Sequence, residues 1–101
     1  MCALAAVAAG AAFERHVVAF LRRLGVAVTA RGGPGDGGID FAGSWVGRRV
    51  LGQCKWHGGR RVLGPSVVRD FVGAIAGVAG DGAPPLGMLV TTVPLGAAAA
   101  R

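Results

Sequence analysis

Asp40 stands between Ile39 and Phe41, in a segment that reads as a β-strand, where aspartate is normally depleted. Strand alternation turns its carboxylate to the face opposite its two apolar neighbours. A second strand-like segment carries Gln53-Cys54-Lys55, and residues two apart in a strand share a face, so Gln53 and Lys55 project together with Cys54 opposite. If the two segments pair as a hairpin, one polar face gathers a carboxylate, an amide oxygen and an ammonium group. That set suits a single magnesium ion, which takes one or two carboxylates and completes its shell with water and phosphate oxygens. The main-chain carbonyl of Cys54 could supply a further oxygen. Lys55 is the only lysine; the other ten of the eleven basic residues are arginine. An ammonium is a compact charge whose proton affinity responds to burial, whereas a guanidinium stays charged. One lysine must fall somewhere by chance, but this one falls two residues from Gln53 and beside the Asp40 strand.

Glu14 projects between Val18 and Leu21, inside the apolar arc of a helical segment. A carboxylate there is costly unless it is paired or binds a cation. It is either an edge residue bridged to an arginine or a carboxylate turned into a site on the sheet. Asp36 lies among glycines in Gly35-Asp36-Gly37-Gly38, where a turn-forming aspartate is the simple reading. Other patterns fail. Gly33-x-Gly35-x-x-Gly38 matches a dinucleotide-binding fingerprint, but a strand and not a helix follows it. There is no Gly-Lys-Ser/Thr for a phosphate-binding loop. Cys54 and His57 lack the second ligand pair of a structural zinc site. Cys54 faces the apolar side and is a poor nucleophile candidate; His16 reads as a helix-surface residue and His57 as a loop residue.

The elements that position these residues follow from periodicity. Phe13, Val17, Phe20, Leu21 and Leu24 recur at spacings of three and four, predicting a helix over 11–24 that stops at Gly25. A short strand over 26–29 precedes a glycine-rich loop over 31–38. Strands are expected at 39–43 and 49–56, joined by a turn over 44–47. A basic loop with Arg60 and Arg61 leads to Pro65, which suits the first position of a helix whose stripe is Val68, Phe71, Val72, Ile75 and Val78. A continuous apolar strand over 86–92 follows. The order helix, three strands, helix, strand predicts a mixed α/β sheet with helices packed on it, formed by one domain over 1–101.

Composition agrees with a folded domain: 52% of residues are hydrophobic and 16% charged, which excludes an intrinsically disordered tail. Two cysteines cannot staple a small secreted scaffold. The formal charge of +6 favours an anionic partner, nucleic acid ahead of an acidic membrane surface, although arginine richness also follows from codon bias. Residues 1–12 are too few for a membrane span and lack the charged start of a secretory signal, so no membrane association is expected. The arginines that follow them would also suit a mitochondrial transit segment.

Taken in order, these pieces resemble the Mrr-like branch of the PD-(D/E)xK nuclease superfamily, the restriction-endonuclease-like fold. Phe13-Glu14 with Leu24-Gly25 looks like the first helix of that family. Asp36-x-Gly38-x-Asp40 and Gln53-Cys54-Lys55 look like its two metal-site motifs. Gly64-Pro65 through Val68-Arg69, Phe71 and Gly73 is similar to the helix after the site, and 87–92 to the next strand with its Val-Thr-Thr ending. The likeness covers about residues 10–97. Gly43-Ser44-Trp45 is similar to a eukaryotic branch that includes fungal mitochondrial proteins required for respiratory growth, which would imply an intracellular, mitochondrial location.

The resemblance implies hydrolysis of DNA phosphodiesters with Mg2+, for which Mn2+ can substitute. Asp40 would be the principal metal ligand, Gln53 would stand where many relatives have an acid, and Cys54 would add its carbonyl. Lys55 would orient the attacking water and stabilise transition-state charge, with Glu14 in support from the first helix. Asp36, Arg48, Arg49, Arg60 and Arg61 are expected on the nucleic-acid side. Gln53 is neutral, so weaker magnesium binding is expected. The family normally continues beyond the Val-Thr-Thr strand, whereas here only a short stub follows, so the domain is expected to be C-terminally truncated. A partner or a second copy forming a homodimer would then cover the sheet edge. The rival expectation is a non-catalytic nucleic-acid-binding module that keeps the fold and uses its arginines against phosphates.

Overall fold

The computed structural model describes residues 3–31, 38–56, 64–80 and 82–92, with side chains throughout except at 3–9 and 79. The first helix, α1, spans Ala3–Arg23. Its alanine-rich start has the highest intrinsic helix propensity, which carries the helix back from the expected Ala11. It ends in a Schellman motif: Val26 N–H donates to Leu21 O and Gly25 N–H to Arg22 O, both at 3.0 Å, with Gly25 at φ +91°. Val26 and Leu21 then meet in the same apolar cluster.

Strand β1 (Ala27–Ala30) pairs antiparallel with β2 (Phe41–Trp45), and β2 antiparallel with β3 (Arg48–Lys55). Helix α2 (Pro65–Ala79) crosses over to β4 (Leu86–Thr91), which lies parallel to β3. The sheet order is β1-β2-β3-β4, so β1 and β4 form the edges of the described sheet. This is the expected mixed α/β architecture and element order. Pro65 opens α2 after Gly64, and Gly80, at φ +67°, closes it.

Period-two alternation divides the core between the two faces. Val50 and Cys54 of β3 and Leu86, Met88 and Val90 of β4 join Val17, Val18 and Phe41 on the α1 side. Leu51 and Leu89 join Ile39, Phe71, Ala74 and Ile75 on the α2 side. The sheet therefore lies between the two helices. Phe41, fully buried, fills the space over Gly52: a side chain at Gly52 would overlap its ring.

Several local expectations are corrected. Residue 39 does not open β2, which starts at Phe41. Ile39 and Phe41 pack into different clusters, on opposite sides of the sheet, rather than sharing a face. The turn is the tight Val46-Gly47 rather than 44–47. On α1 the buried arc centres on Val17 and Val18, which leaves Phe20 57% and Leu24 62% exposed. Val72 of α2, expected in the buried stripe, is likewise exposed. Among the described residues no helix is long and apolar enough to cross a membrane.

Candidate active site

Asp40 immediately precedes β2 and is held between two neighbours. Its N–H donates to Gly52 O at 2.8 Å, and its carbonyl accepts from Arg31 N–H at 2.7 Å. The chain turns there from the α2 side at Ile39 to the α1 side at Phe41. This shift brings the carboxylate onto β3 beyond the last β2–β3 pair, Phe41 with Gly52. Cys54 N–H, past the end of that ladder, donates to Asp40 Oδ2 at 2.8 Å. The side chain supplies the acceptor that a longer β2 would have provided. Asp40 is thereby fixed against the Gln53-Cys54-Lys55 segment, as the hairpin pairing anticipates.

Gln53 is nearly buried at 9% exposure, and its Oε1 has no hydrogen-bond partner among the described residues. Its amide nitrogen lies close to Gly38, where a Cβ would come within 3.3 Å of Nε2 and 3.6 Å of Ala74 Cβ. Gly38 also has φ +81°, so glycine is required there both by backbone conformation and by the approach of Gln53. Lys55 is half-buried at the end of β3, paired with Thr91 of β4, and its carbonyl accepts from Thr92 N–H at 3.2 Å. Gln53 and Lys55 thus lie at the carboxyl ends of the parallel strands, where open α/β sheets place their ligand crevices.

Cys54 turns the other way, into the α1 cluster. Its thiol is pushed up to about 12, first by burial and then by the negative charges of Asp40 and Glu14. The thiol stays protonated at neutral pH, which agrees with the sequence-based exclusion of a nucleophilic cysteine. Glu14 is half-buried on α1, and its negative charge, like that of Asp40, is felt at the Cys54 thiol.

Among the described residues no three His, Cys, Asp or Glu side chains gather closely enough to hold a metal ion. The set expected here contains one carboxylate, one amide oxygen and one main-chain carbonyl, all hard oxygen donors. Arg48 and Arg49 lie at the opposite end of β3, beside the Val46-Gly47 turn. At a rise of about 3.3 Å per residue they stand about 20–23 Å from Lys55. Asp36, His57, Arg60 and Arg61 fall outside the described residues. Sequence reasoning missed the Cys54 N–H that anchors Asp40 and the packing of Gly38 on Gln53. Main-chain donors leave no residue-type signal, but the glycine did, as a residue next to an acid-bearing strand that only a close approach would require.

A family model described as restriction endonuclease, Mrr_cat, matches residues 6–101. The match is at the level of the family and does not single out the eukaryotic branch. No curated protein and no solved structure matches the chain significantly. The ordered motifs, the mixed α/β sheet and a match over nearly the whole sequence place the chain in the Mrr-type restriction endonuclease family, a family of nucleases.

Proposed function

We propose that the chain is a metal-dependent DNA endonuclease that hydrolyses phosphodiester bonds, with its site at the end of β3. The observation that carries this reading is the buried Oε1 of Gln53, without a hydrogen-bond partner among the described residues, next in sequence to the peptide that anchors the Asp40 carboxylate. A buried amide oxygen without a hydrogen bond costs about 1–3 kcal/mol, and a hard cation is a partner that would satisfy it. Asp40, Gln53 and the carbonyl of Cys54 would hold Mg2+ or Mn2+, and Glu14 would lend charge from α1. When bound, the ion supplies a water of lowered pKa and charge neutralisation at the phosphate.

The remaining steps belong to this chain's own groups. Cys54 N–H holds the Asp40 carboxylate in place before any ligand arrives, so little ordering is needed on binding. The Lys55 ammonium, next along the same face as Gln53, would hold the attacking water and meet charge that develops on the phosphoryl oxygens. With Gln53 neutral, the site carries less negative charge than one with an acid there, which favours approach of the phosphate and weakens retention of the cation.

The test is nicking of supercoiled plasmid in Mg2+ or Mn2+. The wild-type chain should nick, EDTA should stop it, and Asp40→Asn or Lys55→Met should reduce the rate at least 100-fold, the scale of one electrostatic contact to the transition state. Nicking that survives both substitutions would overturn the assignment. The neutrality of Gln53 favours a second reading, a nucleic-acid-binding module without cleavage. That reading predicts salt-sensitive DNA binding by a chain that nicks in neither metal.

A further inference from the structure

The turn between β2 and β3 presents a combination that the fold itself does not require. Val46 has φ +51°, a left-handed backbone that penalises a β-branched residue, and its side chain is 84% exposed. Strained and solvent-facing, it contributes nothing to the core. Trp45, 45% exposed, pairs directly with Arg48 across the hairpin, so both project from the same face. On the other face Arg49 is exposed, with its guanidinium steadied by a 3.4 Å hydrogen bond to Val78 O of α2. Val46, Gly47 and the two arginines, with Ala83 and Pro84 from the connection into β4, line a hollow, and none of these residues is acidic. Arg22 and Arg23 end α1 near this end of the sheet, where Arg22 Nε donates to Val28 O at 2.7 Å.

Strain at an exposed apolar residue points to a contact outside the chain. The charge around it decides which kind. Exposed Arg48 pairs with the exposed indole on one face and exposed Arg49 stands on the other, which suits a polyanion with stackable or apolar groups between its charges rather than a neutral protein surface. We propose that the hairpin tip is a second DNA contact, in which Arg48 and Arg49 bind phosphates and Trp45 with Val46 packs against the sugars and bases between them. The proposal rests on the nuclease reading for its choice of DNA. It adds a grip separate from the reacting groups, about 20–23 Å away along β3. At 3.4 Å per step this is about six or seven base pairs from the scissile phosphate.

The chain contains two tryptophans, so a Trp56→Phe variant leaves Trp45 as its only indole. Titrating that variant with a 20-base-pair duplex in EDTA should quench or shift the Trp45 emission. Arg48→Gln combined with Arg49→Gln should weaken binding at least tenfold and lower the salt dependence of log K by about 2, one for each phosphate that no longer meets a guanidinium. Unchanged Trp45 emission at saturating DNA, undiminished affinity in the double variant, or no DNA binding at all would overturn the proposal. Quenching by DNA without any nicking in metal would sink hydrolysis and leave this contact standing.

Discussion

Asp40 carries two demands at once, and they can be separated by substitution. Its Oδ2 satisfies the part-buried N–H of Cys54, a structural requirement, while the charge of the same carboxylate would hold a cation. Asp40→Ala leaves that N–H without an acceptor and should cost about 1–3 kcal/mol. Asp40→Asn keeps an oxygen in place and should cost less than about 1 kcal/mol, yet both variants should fail to nick. Urea denaturation of the three proteins measures the difference. Equal stability of the alanine variant and the wild type would remove the anchoring role. At this scale the sequence made two residues conspicuous: an aspartate among strand formers and the single lysine among arginines. Gln53 was visible as a neighbour of Lys55, but its unsatisfied oxygen was not, because satisfaction depends on what approaches from Gly38 and α2.

At the scale of elements, the hairpin is the clearest case of local chemistry overruled by something else. Val46 and Gly47 have φ +51° and +76°, positive at both central positions, the pattern of a type I′ turn that asparagine-glycine favours. A left-handed conformation costs an ordinary residue about 1–2 kcal/mol, and asparagine relieves most of it. Val46→Asn should therefore stabilise the chain by about 1 kcal/mol and raise Tm by about 4–8 °C, measurable by thermal melting. A fall in Tm would mean that the valine makes contacts its exposure does not suggest. Element order was legible because periods of two and 3.6 separate strands from helices. Face assignments within α1 were less so. Phe20 and Leu24 continue the apolar arc of Phe13, Val17 and Leu21 to one side, and spacing alone cannot tell which side of the arc is buried. The sheet chose, because α1 packs against β1 and β3 and leaves Phe20 beside an apolar groove that Val90 of β4 also lines. The start of β2 was missed by two residues for a related reason: the switch of faces at Asp40 breaks the alternation from which strand ends are read.

At the scale of the molecule, the scarcity of ionisable residues makes one thiol visible in global stability. The chain has no tyrosine and one lysine, so few groups titrate on the alkaline side. Cys54 is one of them, and folding moves it from 9.0 up to about 12, with burial first and the charges of Asp40 and Glu14 after it. The folded thiol holds its proton where the unfolded thiol loses it. Above pH 9 unfolding releases a proton, so rising pH favours the unfolded chain; stability is full below pH 9 and declines as pH climbs toward 12. Because the residue is only half-buried, solvent screens its carboxylate neighbours, and the total loss should be of order 1–2 kcal/mol rather than the whole of the shift. Urea melts of the Cys2→Ser chain at half-unit steps from pH 8 to 11.5, in EDTA, should show this decline, and adding Cys54→Ala should flatten it whatever that substitution does to stability at pH 8. A decline of the same slope in both chains would place its origin elsewhere. Asp40→Asn removes one of the two charges that raise the thiol, so its decline should begin above pH 9 as before and end at a lower pH than in the parent. That narrower window would confirm in solution that the carboxylate proposed to hold the metal and the sulfur beneath it share one electrostatic environment.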